Sequence, residues 1–245
     1  MIDYAKLRRN QNERNQPSGF VFPEDTASGT KGYCDRSSIR VFEEAMACQS
    51  NGNWLSGTRN AQEEFTRFII KIAKSNNLFI PFEDCKSFGE LVPIRSGESK
   101  IYENKAEGTI YKVRDPFAKF HLKSNNVVDV LYEHIIHNLL FPNTRYTLIG
   151  ISEFIDSLRL IYSQELFFNI DIPTQQQIDT HLMSMGLIQE EKYYYGNEYL
   201  AITDVYAEGD NVLIDLNGNL LFIDPIIKLK KPASEVISYL EKRML

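Results

Sequence analysis

The chain has 245 residues, enough for one good hydrophobic core or two modest ones. Its 43% hydrophobic and 24% charged composition is that of a folded globule, and a formal charge of −6 at pH 7 gives no general attraction to DNA, RNA or anionic membrane. No apolar run reaches the roughly 18 residues a spanning helix needs, Met1 to Gln16 hold no signal-peptide core, and Cys34, Cys48 and Cys85 lack metal-site spacing. The expectation is a cytoplasmic chain with reduced thiols.

Residues 1 to about 58 alternate polar stretches with Gly and Pro and read as a loosely organised arm, with one helix near Ser37 to Met46. That arm is either a partner-binding segment or packing decoration. From Ala61 a helix is expected, because Phe65, Phe68, Ile69, Ile72 and Ala73 form one apolar stripe. Asn76 to Gly89 is a connection with a short apolar run. Between Leu91 and Asp115 the period is strand-like, and Lys105 to Gly108 is a turn between two strands, with Gly108 free to take an awkward conformation. Val127 to Leu140 has a helical face, and Phe141-Pro142 stops it. Tyr146 to Ile151 and Leu158 to Ser163 are strands, so the order is strand, strand, helix, strand, strand. Thr174 and Gln177 have the spacing of a capping box for a helix ending near Gly186. Tyr193 to Ile202 is extended. Asn211 to Leu216 and Asn219 to Asp224 form a hairpin around Asn217-Gly218, and Pro232 precedes a last helix.

The chemistry concentrates between Ile202 and Pro225. If the hairpin closes at Asn217-Gly218, Asn211 and Asp224 share its open end. An amide oxygen and a carboxylate there suit Mg²⁺, which commonly takes few protein ligands and completes its shell with phosphates and water. Asp204, on the preceding loop, is placed to orient or deprotonate an attacking hydroxyl, or else to shape that loop as an Asx-type turn. Other signals carry less. Asp215-Leu-Asn-Gly-Asn has its glycine at the wrong place for a calcium loop. His121, His134, His137 and His181 lack zinc spacing. The aromatic run Tyr193 to Tyr195 has no basic stripe beside it to favour nucleic acid.

The order Asp204, Asn211, hairpin, Asp224 resembles the catalytic loop and metal-binding strand of protein kinases. More closely, residues 66 to 228 resemble the kinase-like domain of bacterial polyvalent proteins of phages and mobile elements. The resemblance rests on Ser96-Gly-Glu-Ser-Lys-Ile-Tyr102, Thr109-Ile-Tyr-Lys-Val-Arg-Asp115, His137-Asn-Leu-Leu-Phe-Pro142, the strand end at Gln164 and the hairpin to Pro225. It implies an α+β, protein-kinase-like fold: an antiparallel-sheet N-lobe with a helix, then a truncated, mostly helical C-lobe carrying the catalytic-loop hairpin. The implied divisions are an accessory arm at 1–60, a helical lead-in at 61–90, the N-lobe at 91–168 and a minimal C-lobe at 169–245.

The resemblance also implies an ATP-binding, Mg²⁺-dependent phosphotransferase. Lys112 would pair with the phosphates and Glu133 would orient Lys112. Gly97 would cover the phosphates, Leu160 to Phe167 would form the hinge, and Gln164 would lie in the nucleotide site. Asn211 and Asp224 would hold Mg²⁺, and Asp204 would serve the acceptor. The sequence departs from protein kinases in several places. Asp204 to Asn211 spans seven positions, about two more than usual; the phosphate loop has one glycine; Pro225 follows Asp224; and 21 residues follow Asp224. The expected partners are a nucleotide and a small-molecule or protein acceptor, with residues 1–60 as a candidate protein-binding arm and neither nucleic acid nor membrane. The alternative is an inactive, pseudokinase-like interaction module or a structural protein of a mobile-element system.

Overall fold

The apolar stripe read from Ala61 onward forms helix α1 (Arg59–Ser75), which buries Phe65, Ile69, Ile72 and Ala73 together with Ile70. In the computed structural model the described residues are 59–93, 99–117, 129–168, 170–209 and 211–243. The arm at 1–58 and the helix expected near Ser37 lie outside them.

A five-stranded antiparallel sheet follows α1. Its strands are β1 (Glu90–Val92), β2 (Ser99–Asn104), β3 (Thr109–Arg114), β4 (Thr147–Phe154) and β5 (Ser157–Glu165), in the spatial order β1-β2-β3-β5-β4. Gly108 closes the β2–β3 turn at φ +63°, in the left-handed region a side chain would resist. Helix α2 (Asp129–Leu140) lies between β3 and β4 in the chain. It presents Ile135, Ile136, Leu139 and Leu140 to the core, and the short 3-10 turn Pro142–Thr144 follows it.

Alternation along β3 gives the sheet two different faces. Tyr111 and Val113 lie on the outer one, where Cys85, from the 3-10 turn Phe82–Phe88, packs with Tyr102, Val113 and Ile161. Ile110 and Lys112 lie on the inner one. There Leu213, Leu221 and Ile223 of a second hairpin meet Ile101, Ile110 and Leu166. That hairpin is β9 (Val212–Ile214) and β10 (Leu220–Phe222), with Val212 opposite Phe222 and Gly218 at φ +85° in its turn.

The expected mostly helical C-lobe is overturned. After helix α3 (Gln175–Ser184), whose Thr174–Gln177 capping box is formed, the chain builds β6 (Ile188–Glu191), β7 (Tyr194–Gly196), β8 (Leu200–Thr203) and β11 (Ile226–Leu229) into a second antiparallel sheet, ordered β11-β8-β7-β6. The chain is a mixed α/β protein with eleven strands and four helices among the described residues, and its C-terminal region is rich in sheet. Two of these strands give no alternating signal. Ile188-Gln-Glu-Glu191 is exposed throughout, while Ile226-Ile-Lys-Leu229 is half-buried on both faces. β6 pairs with β7 across a tight turn, Glu191 opposite Tyr194, and β11 finds β8 by tertiary contact.

Helix α4 (Ala233–Arg243) buries Val236 and Leu240 and packs on α2. One continuous core cluster joins α1, α2, β4, β5, α3, β8 and the hairpin residue Phe222. No helix among the described residues is long and apolar enough to cross a membrane.

Candidate functional site

Packing of the β9–β10 hairpin against the inner face of the first sheet decides where the candidate residues meet. Each aliphatic side chain buried there is worth roughly 1.5–3 kcal/mol, so Leu213, Leu221 and Ile223 hold the hairpin firmly on β2 and β3. Its open end then falls beside Lys112. The Ile223 N–H donates to the Asn211 carbonyl at 2.7 Å, extending the ladder by one pair and setting Asn211 next to the peptide that leads into Asp224. Lys112 Nζ lies 3.4 Å from the Ile223 carbonyl and 2.8 Å from the Tyr146 hydroxyl.

Lys112 is 5% exposed. Burial pulls its ammonium down to about 8; Asp224 works to raise it and Arg114 to lower it. Arg114 is two residues on, hence on the same face of β3, and pairs with Glu133 at 3.1 Å. Burial opposes the guanidinium charge there, but Glu133 and then Asp224 hold its pKa above its ordinary value. Among the described residues no ion pair joins Glu133 to Lys112. The site therefore has two cations, one paired with Glu133 and the other held by Tyr146, and both feel Asp224.

Asn211 is 5% exposed. Its Nδ2 donates to the Asp204 carboxylate at 2.7 Å and to the Asp204 carbonyl at 3.1 Å. Both amide protons are thus directed at Asp204, which turns the amide oxygen to the opposite side. Asp204 takes φ +63°, a left-handed conformation that Asp tolerates better than most residues. The loop it begins is pinned from α3, where Gln175 Oε1 accepts the Ala207 N–H at 3.0 Å. Asp224 is exposed to solvent at the open end of the hairpin.

The model of one family, described as a serine/threonine/tyrosine kinase found in polyvalent proteins, matches residues 62–231. The chain belongs to that family. No curated protein and no solved structure matched it.

Against the pattern expected of a polyvalent-protein kinase, the geometry gathers Lys112, Asp204, Asn211 and Asp224 around the open end of the hairpin. It gives Glu133 to Arg114. Gly97 lies outside the described residues. Gln164, 3% exposed, donates to the Thr144 carbonyl at 2.8 Å and so ties β5 to the turn after α2; its own carbonyl oxygen is enclosed without a hydrogen-bond partner. Of the stretch expected as a hinge, Leu160 to Glu165 is paired strand, and the Leu166 N–H donates to the Gly108 carbonyl.

Sequence reasoning passed over Arg114, Tyr146, Asn138 and Gln175. The period of β3 could have flagged Arg114, since Lys112 and Arg114 must share a face. Nothing in the sequence flags the other three: Asn138 meets Tyr146 eight residues on, while the Tyr146 hydroxyl meets Lys112 and Gln175 meets Ala207, 34 and 32 residues away. A separate groove of about 600 Å³, lined by Thr174, Gln177, His181 and Asn219 among others, lies at the turn end of the hairpin and includes none of the candidate residues.

The donor set also bears on which cation would fit. Among the described residues no three His, Cys, Asp or Glu side chains gather as metal ligands. What the hairpin end offers is one amide oxygen and one exposed carboxylate, a sparse set of hard oxygens. Mg²⁺ takes such sets when phosphate oxygens and water supply the rest of its shell.

Proposed function

We propose that this kinase-family chain binds ATP with Mg²⁺ and transfers the terminal phosphoryl group to a hydroxyl acceptor. The observation that carries the reading is the meeting of Lys112 with the Asn211–Asp224 end of the hairpin, measured by the 3.4 Å approach of Nζ to the Ile223 carbonyl. Phosphoryl transfer asks little covalent chemistry of a protein and much positioning and charge compensation.

In this reading Lys112 donates to phosphate oxygens, and Asn211 and Asp224 hold the cation, which when bound neutralises charge on those oxygens. Asp204, fixed by the two bonds from Asn211, accepts a hydrogen bond from the acceptor hydroxyl and takes its proton as the oxygen attacks. Glu133 keeps Arg114 charged and oriented, adding a second positive group at the edge of the site. The acceptor is a small molecule or protein bearing a hydroxyl, and residues 1–60 are a candidate contact for it. The setting is a bacterial mobile-element system and the compartment cytoplasmic.

A second reading, a nucleotide-binding or partner-binding module without transfer, draws support from Glu133, which serves Arg114 and leaves Lys112 without a carboxylate partner. Two measurements on the full chain separate the readings. ATP with Mg²⁺ raises the melting temperature of the wild type by linkage, and Asp224→Asn removes most of that rise; no shift at millimolar nucleotide refutes both nucleotide readings. Transfer of labelled γ-phosphate, lost in Asp204→Asn, establishes the enzyme, and binding without transfer establishes the module.

A further inference from the structure

A lysine that meets phosphate has to be held, because its four-carbon stem otherwise samples many rotamers. Glu133 does not hold Lys112, since it is engaged by Arg114 at 3.1 Å. The ammonium instead donates to the Tyr146 hydroxyl at 2.8 Å. That hydroxyl donates in turn to the Ile223 carbonyl, the group Nζ approaches at 3.4 Å. Lysine, phenol and peptide thus close a triangle beside Asp224.

Tyr146 is itself clamped. Asn138, on α2 and 2% exposed, donates Nδ2 to the Tyr146 carbonyl at 2.7 Å and accepts the Tyr146 N–H on Oδ1 at 2.8 Å. The phenol ring packs against His137 and Tyr162, with centroids 4.5 and 5.9 Å away. A phenol can accept from an ammonium while donating to a carbonyl, which an ionised carboxylate cannot do. Being neutral, it also orients the ammonium without cancelling the charge that a phosphate would meet.

We propose that Tyr146, clamped to α2 by Asn138, is the positioning residue that aims Lys112 at the phosphates, while Glu133 serves Arg114. The inference rests on the nucleotide-binding reading and deepens it. Through this clamp α2 governs the lysine without a carboxylate: Asn138 fixes the Tyr146 backbone, the Tyr146 hydroxyl holds the ammonium, and any shift of α2 reaches Lys112 through that tyrosine.

The test is calorimetric titration of the full chain with ATP plus Mg²⁺ and, separately, with adenosine. Tyr146→Phe keeps the ring and removes the hydroxyl, so ATP affinity falls about tenfold, the scale of one hydrogen bond to a charged group, while adenosine affinity is unchanged. Asn138→Ser, which loosens the clamp from the other side, gives the same selective loss. Glu133→Gln weakens ATP binding less than Tyr146→Phe does. The proposal is overturned if Tyr146→Phe binds ATP as the wild type does, if both variants lose ATP and adenosine in parallel, or if Glu133→Gln is the more damaging change. A wild-type chain that binds no ATP overturns the nucleotide reading itself and this inference with it.

Discussion

His137 offers the sharpest quantitative check on the packing around the site. It lies on α2, 3% exposed, with Nε2 3.0 Å from the Phe222 carbonyl and its ring against Phe141 and Tyr146. A carbonyl can only accept, so the neutral ring carries its proton on Nε2. Burial pushes the imidazole down to about 4 from an ordinary 6.5; the Phe222 carbonyl opposes the fall, Lys112 adds to it, and Asn138 and Asp224 oppose it. The folded state therefore refuses a proton that the unfolded chain accepts. Stability from this group is fully present above pH 6.5 and is lost as pH falls toward 4. Linkage between those two values gives a loss on the order of 2 kcal/mol between pH 7 and pH 4.5, a large share of a typical stability of roughly 5–15 kcal/mol. The control is His137→Gln, whose amide can donate to the same carbonyl and does not titrate. Urea denaturation at both pH values should show the wild type losing on the order of 2 kcal/mol more than the variant. Parallel losses would mean that His137 is not buried as neutral imidazole against Phe222, and the account of how α2 meets the hairpin would fail.

Three further outcomes follow from local features. The β4–β5 turn places Ile155 at φ +50° and Asp156 at φ +55°, and a β-branched residue is strained there; Ile155→Asn with Asp156→Gly supplies the pair preferred in such turns and should raise stability by about 1 kcal/mol, read as a higher melting temperature, whereas an unchanged or lower one refutes the turn geometry. Lys112, drawn down to about 8, has its charged form favoured by a bound phosphate, so ATP binding near pH 8 should take up roughly half a proton. Calorimetry in buffers of different ionisation enthalpy measures that uptake, which Lys112→Met should abolish; equal uptake by the variant would show that another group titrates. Without nucleotide the same depression makes stability rise from pH 8 toward 10.5, because the unfolded chain keeps the proton longer.

How much was legible in the sequence depended on whether a contact was local. Thr174 and Gln177 are three residues apart, and their capping box forms as the spacing requires. Asn217-Gly218 marks the turn, which closes as a three-residue loop, Leu216 to Gly218, with Asp215 opposite Asn219; the resulting register sets Asn211 opposite Ile223, beside Asp224 at the open end of the hairpin. The helix-rich C-lobe failed where a strand carries no apolar period or finds its partner far along the chain. Ile188-Gln-Glu-Glu191 is local to its partner, with Glu191 opposite Tyr194 across a tight turn, but it has one apolar residue and is exposed throughout, so it reads as a polar connection. Ile226 to Leu229 follows Asp224 directly and pairs with β8, about twenty-five residues earlier in the chain. No short window of sequence contains both β8 and β11.

The same division runs through the site, and it explains why the resemblance pointed to Glu133 while the geometry points to Tyr146. A carboxylate on a helix and a lysine on a neighbouring strand are recognisable by residue type and order, so Glu133 is the natural candidate. Arg114 changes that outcome. It shares a face of β3 with Lys112 and presents a planar guanidinium that matches a carboxylate better than an ammonium does, and the 3.1 Å pair to Glu133 follows. Lys112 is then left in a buried position where an unpartnered ammonium would be costly, and the Tyr146 hydroxyl, delivered 34 residues later by the clamp from Asn138, satisfies it. Arg114 is thus the residue on which the rearrangement turns. Arg114→Leu should free Glu133 for Lys112 and make ATP binding depend on Glu133, so a Glu133→Gln change that is mild alone becomes severe when combined with Arg114→Leu. Additive losses in that double-mutant cycle would show that Glu133 and Lys112 stay apart whatever stands at position 114.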